Sequence, residues 1–425
     1  MNSRERILTS LDHREPDRLA VDFGGMCNTS MHVSCLDGLV GHFNLEPRLI
    51  RTMDPFTMVG IVDYDLGDAV GSDAVGVLPP GTVFGVPRRD WKPWVTPQGL
   101  EVLVPGGFEV TPDGEGGFYA HTGGDTTLPP AGHLPAGGYY FDAVISAEPV
   151  DEDDLDPDDN LEEFRLLSEA DIAYFVSELT RARATGKAVV LGVPGMGLGD
   201  AAEIPGCCLA KPKGIRDIAD WYMAPLLYPE YVEEVFRRQT DIALKNLEAL
   251  NAAAGDLIDV VLTCAADYAH QSSTFFSKEV FEEMYVPHFK RANDWIHQNT
   301  KWKIAKHNCG AVEPFIPLLV ESGFDILNPV QCSAEGMAPE HLKKEYGRHI
   351  TFWGGGVDTQ RTLPFGTPRE VREEVLKRCE IFSKDGGFVF NAIHNIQAGT
   401  PPENIVAMLD AVKEFNSANY GAAVN

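Results

Sequence analysis

The second half of the chain alternates short runs of β-branched and aromatic residues with longer amphipathic stretches. This alternation is typical of repeated strand–helix units that build a parallel sheet. The later short runs predict strands at residues 260–265, 303–307, 325–329, 350–354 and 387–392. Earlier runs predict strands at residues 18–23, 73–77 and 187–193. Eight strands are the number that a closed barrel needs, so we predict an α/β fold of the (β/α)8, or TIM barrel, type.

A Gly- and Pro-rich segment in the N-terminal half, residues 82–146, interrupts this pattern. Short alternating runs at residues 100–104 and 117–120 within it predict β-hairpins. We expect a β-rich insertion that lies over the barrel. The 425 residues are compatible with one barrel carrying an insertion, so we predict that residues 1–425 form a single domain.

Three segments carry signals for the start of a helix. Ser277 is placed to be the N-cap of a helix that continues through Trp295. Thr367-Pro-Arg-Glu and Thr400-Pro-Pro-Glu each predict Thr at the N-cap, Pro at the first helical position and Glu at the third.

The charge and the thiol content restrict the environment and the partners of the chain. Lys and Arg total 35 against 63 Asp and Glu, and the net charge of -28 disfavours nucleic acid and anionic lipid surfaces. The longest apolar runs have the length of a strand, which is too short to cross a bilayer. Residues 1–8 carry charges where a signal peptide is apolar, which argues against export. The eight cysteines lack regular spacing, which indicates reduced thiols rather than a disulfide framework. We therefore predict a cytoplasmic protein with no membrane span.

His307 and Cys309 lie at the end of one predicted strand. Residues two apart in an extended segment share a face, so the imidazole and the thiol converge at the strand's C-terminal end. Barrel enzymes place their reactive groups at that end, and His with Cys is a favoured pair of zinc ligands. The alternative is a buried cysteine beside a hydrogen-bonded histidine, with no metal.

Two residues compete for the place of a third ligand. His394 follows the last predicted strand and leaves the barrel at the same rim, and three protein ligands with an open fourth position are typical of catalytic zinc. Cys332, at the end of the intervening strand, is the alternative third ligand. Without a metal, His394 would bind a substrate by a hydrogen bond or cap the helix that starts after Thr400.

Other polar side chains also follow the ends of predicted strands. We expect them to line a pocket at the rim, although each of them also suits a turn or a cap. The catalytic candidates are Asp267, Tyr268 and His270, and the substrate-binding candidates are Gln271, Asn328, Gln331, Asp358 and Asn391.

A set of motifs runs along nearly the whole chain. They are Ser-Arg-Glu-Arg-Ile-Leu-Thr-Ser-Leu at 3–11, Glu-Pro-Asp-Arg at 15–18, His-Asn-Cys-Gly at 307–310, Asn-Pro-Val-Gln at 328–331, Gly-Gly-Gly-Val-Asp at 354–358, Phe-Asn-Ala-Ile-His at 390–394 and Thr-Pro-Pro-Glu-Asn at 400–404. Together they resemble the uroporphyrinogen decarboxylase-like superfamily of barrels, which includes cobalamin-dependent methyltransferases, and within it the O-demethylase methyltransferase I branch.

The resemblance distinguishes two branches of that superfamily. The decarboxylases carry an N-terminal arginine-rich motif that binds the carboxylates of a porphyrin, whereas the matching residues 21–27 contain no arginine. In the methyltransferase branch a His-x-Cys pair ligates zinc, and this pair matches His307 and Cys309. The third zinc ligand of that branch is often a Cys, where this chain has His394. The resemblance therefore implies zinc as a cofactor.

The methyltransferase branch also implies a reaction and a partner. The chain would demethylate a methoxylated aromatic compound, or a related methyl donor, and pass the methyl group to the Co(I) of a separate corrinoid protein. The chain lacks an Asp-x-His-x-x-Gly motif for corrinoid binding, so the cobalamin is expected on that partner. The alternatives are a decarboxylase or lyase of a small carboxylic acid, with His394 or Asp267 as the polar anchor, and a non-enzymatic accessory barrel. Barrels of this superfamily often pair, which leaves a homodimer open.

Overall fold

A computed structural model describes residues 1–193 and 196–421 of the chain. The strands within these residues are β1 (Ala20–Val21), β2 (Thr52–Asp54), β3 (Val59–Gly60), β4 (Ala74–Val77), β5 (Lys92–Val95), β6 (Glu101–Val104), β7 (Val110–Pro112), β8 (Phe118–His121), β9 (Pro130–Leu134), β10 (Asp142–Ala143), β11 (Ala188–Gly192), β12 (Val260–Cys264), β13 (Lys303–His307), β14 (Ile326–Asn328), β15 (Thr351–Trp353) and β16 (Phe388–Phe390).

The α-helices within the same residues are α1 (Ser3–Leu11), α2 (Val33–His42), α3 (Tyr64–Ala69), α4 (Glu169–Arg183), α5 (Ile218–Leu227), α6 (Pro229–Ala254), α7 (Lys278–Met284), α8 (Val286–Asn299), α9 (Ile316–Glu321), α10 (Pro339–Tyr346), α11 (Thr362–Phe365), α12 (Pro368–Phe382) and α13 (Pro402–Tyr420). None of these helices, in the part of the chain that the structure describes, is both long enough and apolar enough to cross a bilayer.

Eight strands form a parallel sheet in the order β1, β16, β15, β14, β13, β12, β11, β4. The two edge strands come together where the backbone N–H of Asp73 donates to the carbonyl of Val21 over 2.7 Å. The sheet is therefore a nearly closed barrel with helices between its strands, which confirms the predicted fold class. Each of the eight predicted strands overlaps one of the barrel strands.

The carboxylate of Asp73 supports this junction between β1 and β4. It is fully buried, and it accepts hydrogen bonds from Arg6 at 2.7 Å, from Arg18 at 2.9 Å and from the backbone N–H of Val21 at 3.1 Å. A buried charge is tolerated when it is paired in this way. The network therefore ties helix α1 and the first two barrel strands together.

Gly76 of β4 allows the backbone after β1 to approach closely. A Cβ atom at this position would lie 2.8 Å from the carbonyl oxygens of both Gly24 and Gly25. Neither carbonyl can move without moving the main chain, so the junction of β1 and β4 requires a residue without a side chain.

Antiparallel strands fill the segment between β4 and α4. Strands β7 to β10 form a four-stranded sheet, and β5 pairs with β6. Strands β6 and β8 coincide with the two predicted hairpin runs, which confirms those hairpins. Phe84 packs against Phe108 and Phe141, with ring centroids 6.2 and 5.6 Å apart, and gives this region an apolar interior. The boundaries 82–146 and the single-domain assignment stay predictions.

Two of the three predicted helix starts are confirmed. The side chains of Ser277 and Thr367 cap α7 and α12, and Glu370 completes a capping box at Thr367. The helix after Ser277 is broken at Tyr285, because Pro287 follows in the first turn of α8 and has no N–H to continue the ladder.

The predicted N-cap at Thr400 is wrong. Helix α13 begins at Pro402, so Pro401 is its N-cap, and the hydroxyl of Thr400 donates to the carbonyl of Gln397 at 2.8 Å. A residue that precedes proline avoids the helical conformation, so Pro402 keeps Pro401 extended and delays the helix by one residue.

Candidate metal centre

The side chains of His307, Cys309 and His394 meet at the C-terminal end of the barrel. His307 ends β13, Cys309 lies two residues further on, and His394 follows β16. One potential ligand atom from each side chain lies within 4.8 Å of the other two. The Sγ of Cys309 is 3.4 Å from Nε2 of His307, and the two imidazole centroids are 5.2 Å apart. The structure thus brings together the three side chains that the sequence predicts as a ligand set.

Amide side chains orient the ring of His307 through its Nδ1 atom. Nδ1 lies 2.9 Å from Oδ1 of Asn328, and the side chain of Asn28 contacts the same nitrogen. Nδ2 of Asn328 donates to the carbonyl of Trp353, so its Oδ1 faces the ring. Because an amide oxygen can only accept, the contact with Asn328 assigns the ring proton to Nδ1. The unprotonated Nε2 then faces the thiol of Cys309. Metal-binding histidines show this arrangement, in which the second ring nitrogen donates to an oxygen.

His394 is oriented in the same manner. Its Nδ1 contacts Oδ1 of Asn395, and that oxygen also accepts a hydrogen bond of 2.9 Å from Nε2 of Gln397. The Nε2 of His394 is therefore left as the unprotonated nitrogen. The predicted alternative, in which His394 caps the helix after Thr400, is not seen in the described residues, because α13 has no side-chain cap.

Burial sets the protonation of all three side chains. Desolvation lowers the pKa of His307 to about 4 and lowers the pKa of His394, although the nearby carboxylate of Asp267 opposes both shifts. Desolvation, with the same carboxylate adding to it, raises the pKa of Cys309 well above its usual value. Both imidazoles are neutral near pH 7, as a metal ligand requires, and the thiol keeps its proton unless a cation lies beside it.

Asp267 lies directly beside this group. It follows β12, its Oδ1 accepts the backbone N–H of Cys309 over 2.6 Å, and the same oxygen is 3.6 Å from Nε2 of His307. Its side chain is 36% exposed, so a small molecule in the barrel mouth can reach it. Asp267 is therefore the predicted catalytic residue that the structure places at the centre.

The other two catalytic candidates lie elsewhere. Tyr268 is fully buried in an aromatic cluster, where its hydroxyl donates to the carbonyl of Leu198 at 3.1 Å. Its proton is thus already used within the protein. His270 is exposed on the loop after β12, and its Nε2 lies 2.9 Å from the hydroxyl of Ser273.

Two of the substrate-binding candidates connect loops at the rim. The Oε1 of Gln331 accepts the backbone N–H of Gly310 at 2.6 Å, and its Nε2 donates to Oε1 of Gln271 at 2.8 Å. Gln271 in turn donates to the carbonyl of Ser333 at 2.6 Å. These glutamines hold the loops after β12, β13 and β14 together.

The remaining candidates also bind the protein itself. Asn328 positions His307, and Asn391 donates from Nδ2 to the carbonyls of Asp22 and Thr29 across the closed barrel. The Oδ1 of Asp358 accepts two backbone N–H groups of the following turn, which is the turn role that the sequence left open. Direct contact of any of the five candidates with a substrate stays a prediction.

Cys332 does not join the three ligands. The group that could hold a metal, among the described residues, contains His394 and not Cys332. Burial raises the pKa of the Cys332 thiol to about 12, and the charged groups that also act on it are Arg378, Glu374 and Asp358, none of which is a candidate ligand. The geometry therefore favours His394 as the third ligand.

Two residues that shape the centre were missed in the sequence. Asn28 contacts His307 although it lies 279 residues earlier in the chain, and no local sequence pattern indicates such a contact. Lys306 is fully buried, and its Nζ donates to the carbonyls of Ala266 and His307 at 2.6 Å each. Its position next to His307 in a predicted barrel strand was the available signal, because a lysine buried there must satisfy its charge internally.

Comparison with known proteins places the chain in a family. Residues 140–415 match the family described as Uroporphyrinogen decarboxylase (URO-D). Two relatives named uroporphyrinogen decarboxylase match shorter segments: that of Pseudoalteromonas translucida is 35% identical over 78 residues, and that of Psychromonas ingrahamii is 38% identical over 55 residues. These segments cover 18% and 13% of this chain and only 21% and 16% of the relatives' own lengths.

A solved structure resembles the chain over its whole length. The methyltransferase from Methanosarcina mazei superposes with a TM-score of 0.56 at 14% identity and covers 98% of this chain and 99% of its own. At this identity the likeness shows a common fold. The family match itself covers well over half of the chain and includes the strands that carry all three ligands. The chain therefore belongs to the uroporphyrinogen decarboxylase family.

Proposed function

We propose that the protein is a corrinoid-dependent methyltransferase. It takes a methyl group from a methoxylated aromatic compound, or from a related methyl donor, and passes it to the Co(I) of a separate corrinoid protein. The observation that carries the proposal is the convergence of His307, Cys309 and His394, with Nδ1 of each imidazole held by an amide oxygen. The whole-chain likeness to a methyltransferase of Methanosarcina mazei supports it.

The donor set fits a zinc ion. Two neutral imidazoles and one thiol, on strands from two parts of the barrel, are the ligand types of a catalytic zinc site with three protein ligands. When bound, zinc supplies Lewis acidity to an oxygen atom of the substrate.

Cleavage of a methyl ether requires that residues at the mouth of the barrel stabilise the oxygen that leaves the methyl group. The C–O bond breaks and its electron pair stays on oxygen, so that oxygen must receive a positive charge or a proton. The acceptor brings the electron pair that binds the methyl group. Asp267 is the polar residue beside the three ligands that a substrate in the mouth can contact, because the backbone N–H of Cys309 fixes its Oδ1 and its side chain is partly exposed.

Decarboxylation is the alternative that the family name raises. A substrate with several carboxylates needs cations to bind it. In the described part of the chain, the three ligand side chains contact amides, one another and the carboxylate of Asp267. The cation beside them, Lys306, already donates to the carbonyls of Ala266 and His307. This surrounding favours a neutral or cationic substrate over a polycarboxylate.

An anaerobic stopped-flow assay tests the proposal. The protein is mixed with a reduced corrinoid protein and with methoxyarenes or methylamines, and the loss of the Co(I) absorbance is followed. We expect at least one donor to cause this loss, and only when the protein is present. Failure of every donor, together with release of labelled carbon dioxide from a small carboxylic acid, would replace methyl transfer by decarboxylation.

A further inference from the structure

A cavity of about 520 Å³ lies against strand β4, between helices α3 and α4. Its floor is formed by Ala74–Leu78, and its sides include Tyr64 of α3 and Tyr174 of α4. None of the three candidate metal ligands lines it. The volume is in the range of pockets that hold small molecules.

Cations dominate the charged lining of this cavity. They outnumber the carboxylates by five to three in a chain whose net charge is -28. The cations are Arg48, Arg51, Arg88, Arg181 and Lys187, and the carboxylates are Asp63, Asp65 and Glu178. Each of these cations is also paired with a carboxylate, two of them with Asp54 and Asp68 outside the lining, so the cavity offers guanidinium donors to an anion rather than a large net positive charge.

Several guanidinium donors in the cavity remain available. Arg48 is engaged by carboxylates, because two of its nitrogens hold Asp65 at 2.6 and 2.8 Å and its Nε lies 3.3 Å from Oδ2 of Asp63. Arg51 binds Asp63 through Nη2, and Arg181 binds Glu178 through Nη1 at 2.9 Å. Each guanidinium carries five N–H donors, so these arginines keep donors for a further acceptor.

Aromatic side chains lie beside these donors. The guanidinium carbon of Arg51 is 5.8 Å from the ring centroid of Trp91, and Trp91, Tyr64 and Tyr174 all line the cavity. Flat aromatic faces bind flat apolar groups by stacking. The cavity thus combines donors for an anion with surfaces for a ring.

We propose that this cavity binds a small molecule that carries an oxyanion, a carboxylate or a phosphate, on a flat ring. Arginine recognises both oxyanions because its planar fork matches their oxygens. The proposal is independent of the methyl transfer proposed above, because it concerns different residues.

Isothermal titration calorimetry of the intact protein tests it with four probes. Phenyl phosphate and benzoate carry both the ring and the charge, benzamide is the neutral counterpart of benzoate, and inorganic phosphate lacks the ring. We expect phenyl phosphate or benzoate to bind at least about tenfold more tightly than benzamide and inorganic phosphate. If benzamide binds as tightly as benzoate, the cavity does not recognise an oxyanion. If inorganic phosphate binds as tightly as phenyl phosphate, the cavity does not recognise a ring.

Three variants assign the binding to the cavity. Arg51→Gln and Arg181→Gln remove one guanidinium each, and either should weaken the binding about tenfold or more. Arg237→Gln is the control, because Arg237 lies on α6 outside the cavity and is likewise paired with acids on its own helix. Cys309→Ser should keep the binding, since the metal centre is elsewhere. No heat with any probe, or unchanged affinity in both cavity variants, would overturn the proposal.

Discussion

Oδ1 of Asn328 accepts the Nδ1 proton of His307 over 2.9 Å, and Nδ2 of the same asparagine donates to the carbonyl of Trp353 at 2.8 Å. Asn328 ends β14, His307 ends β13 and Trp353 ends β15. One amide therefore joins three neighbouring strands at the rim. It also fixes which nitrogen of His307 faces the ligand group.

We expect Asn328→Ala to weaken zinc binding about 10- to 100-fold, because His307 loses the acceptor that fixes its tautomer and its ring. Competition with a chromogenic chelator measures the affinity. Asn328→Asp keeps an acceptor and should restore most of it. Asn404→Ala is the control, since Asn404 is a buried amide that donates to two backbone carbonyls, those of Leu363 and Gly366. An Asn328→Ala protein that is folded and binds zinc like the wild type would contradict the assigned role.

Cys309→Ser should lower the zinc content and the methyl-transfer rate together, because a hydroxyl is a much weaker zinc ligand than a thiolate. Elemental analysis of protein purified without chelators gives the content, with about one zinc per chain expected for the wild type. Cys332→Ser is the matched control and should leave both quantities unchanged. If Cys332→Ser loses the metal instead, the third ligand has been assigned to the wrong residue.

Gly76→Ala should lower the free energy of unfolding by about 1–3 kcal/mol, because its Cβ would lie 2.8 Å from two backbone carbonyls. Gly41→Ala provides the comparison. Gly41 lies in α2 with no atom within 4 Å of the added Cβ, so the substitution should raise the stability by about 0.5–1 kcal/mol. Urea unfolding of both variants measures these changes. If the two substitutions change the free energy of unfolding equally, the backbone after β1 does not pack closely against Gly76.

Asp22 predicts a pH dependence of stability. Burial raises the pKa of this carboxyl to about 6, although hydrogen bonds from Thr29, Gly25 and Trp353 oppose the shift. The folded protein then binds more protons than the unfolded chain between about pH 4 and pH 6, so the contribution of Asp22 to stability falls as the pH rises through this window.

Asp22→Asn removes this titration. The difference in the free energy of unfolding between the variant and the wild type should change by up to about 3 kcal/mol in favour of the variant as the pH rises from 4 to 7. Altered hydrogen bonds add an offset that does not depend on pH. Urea unfolding at a series of pH values measures the difference. Parallel curves for the two proteins would show that Asp22 does not titrate in this range.

The sequence predicted the barrel strands well because each is a short apolar run between polar loops, which is a local signal. The two Thr-Pro starts show where a local signal is insufficient. Thr367 is followed by one proline and caps its helix, whereas Thr400 is followed by two, and the second proline delays the helix. The rule for the residue before proline was needed in addition to the capping rule.

The sequence predicted those residues of the candidate metal centre that lie at the ends of strands with a clear alternation of side chains. His307 ends β13 and Cys309 lies two residues beyond it, and the side chains of both reach the same group, as alternation along an extended segment predicts. The register between β12 and β13 shifts between Leu262 and Cys264, so alternation no longer tells which residues after β12 point inward. Asp267 reaches the centre and its neighbour Tyr268 does not. The contact of Asn28 with His307 depends on closure of the barrel, which no local pattern encodes.

His394 follows the last barrel strand, and that strand pairs with both β15 and β1. A chain emerging from a ribosome thus exposes His307 and Cys309 while the third imidazole has not yet been synthesised. A product that stops before β16 would keep the imidazole–thiol pair but could not offer three ligands. Tight metal binding would therefore come last in the maturation of this protein, after β16 has paired with β1 and β15.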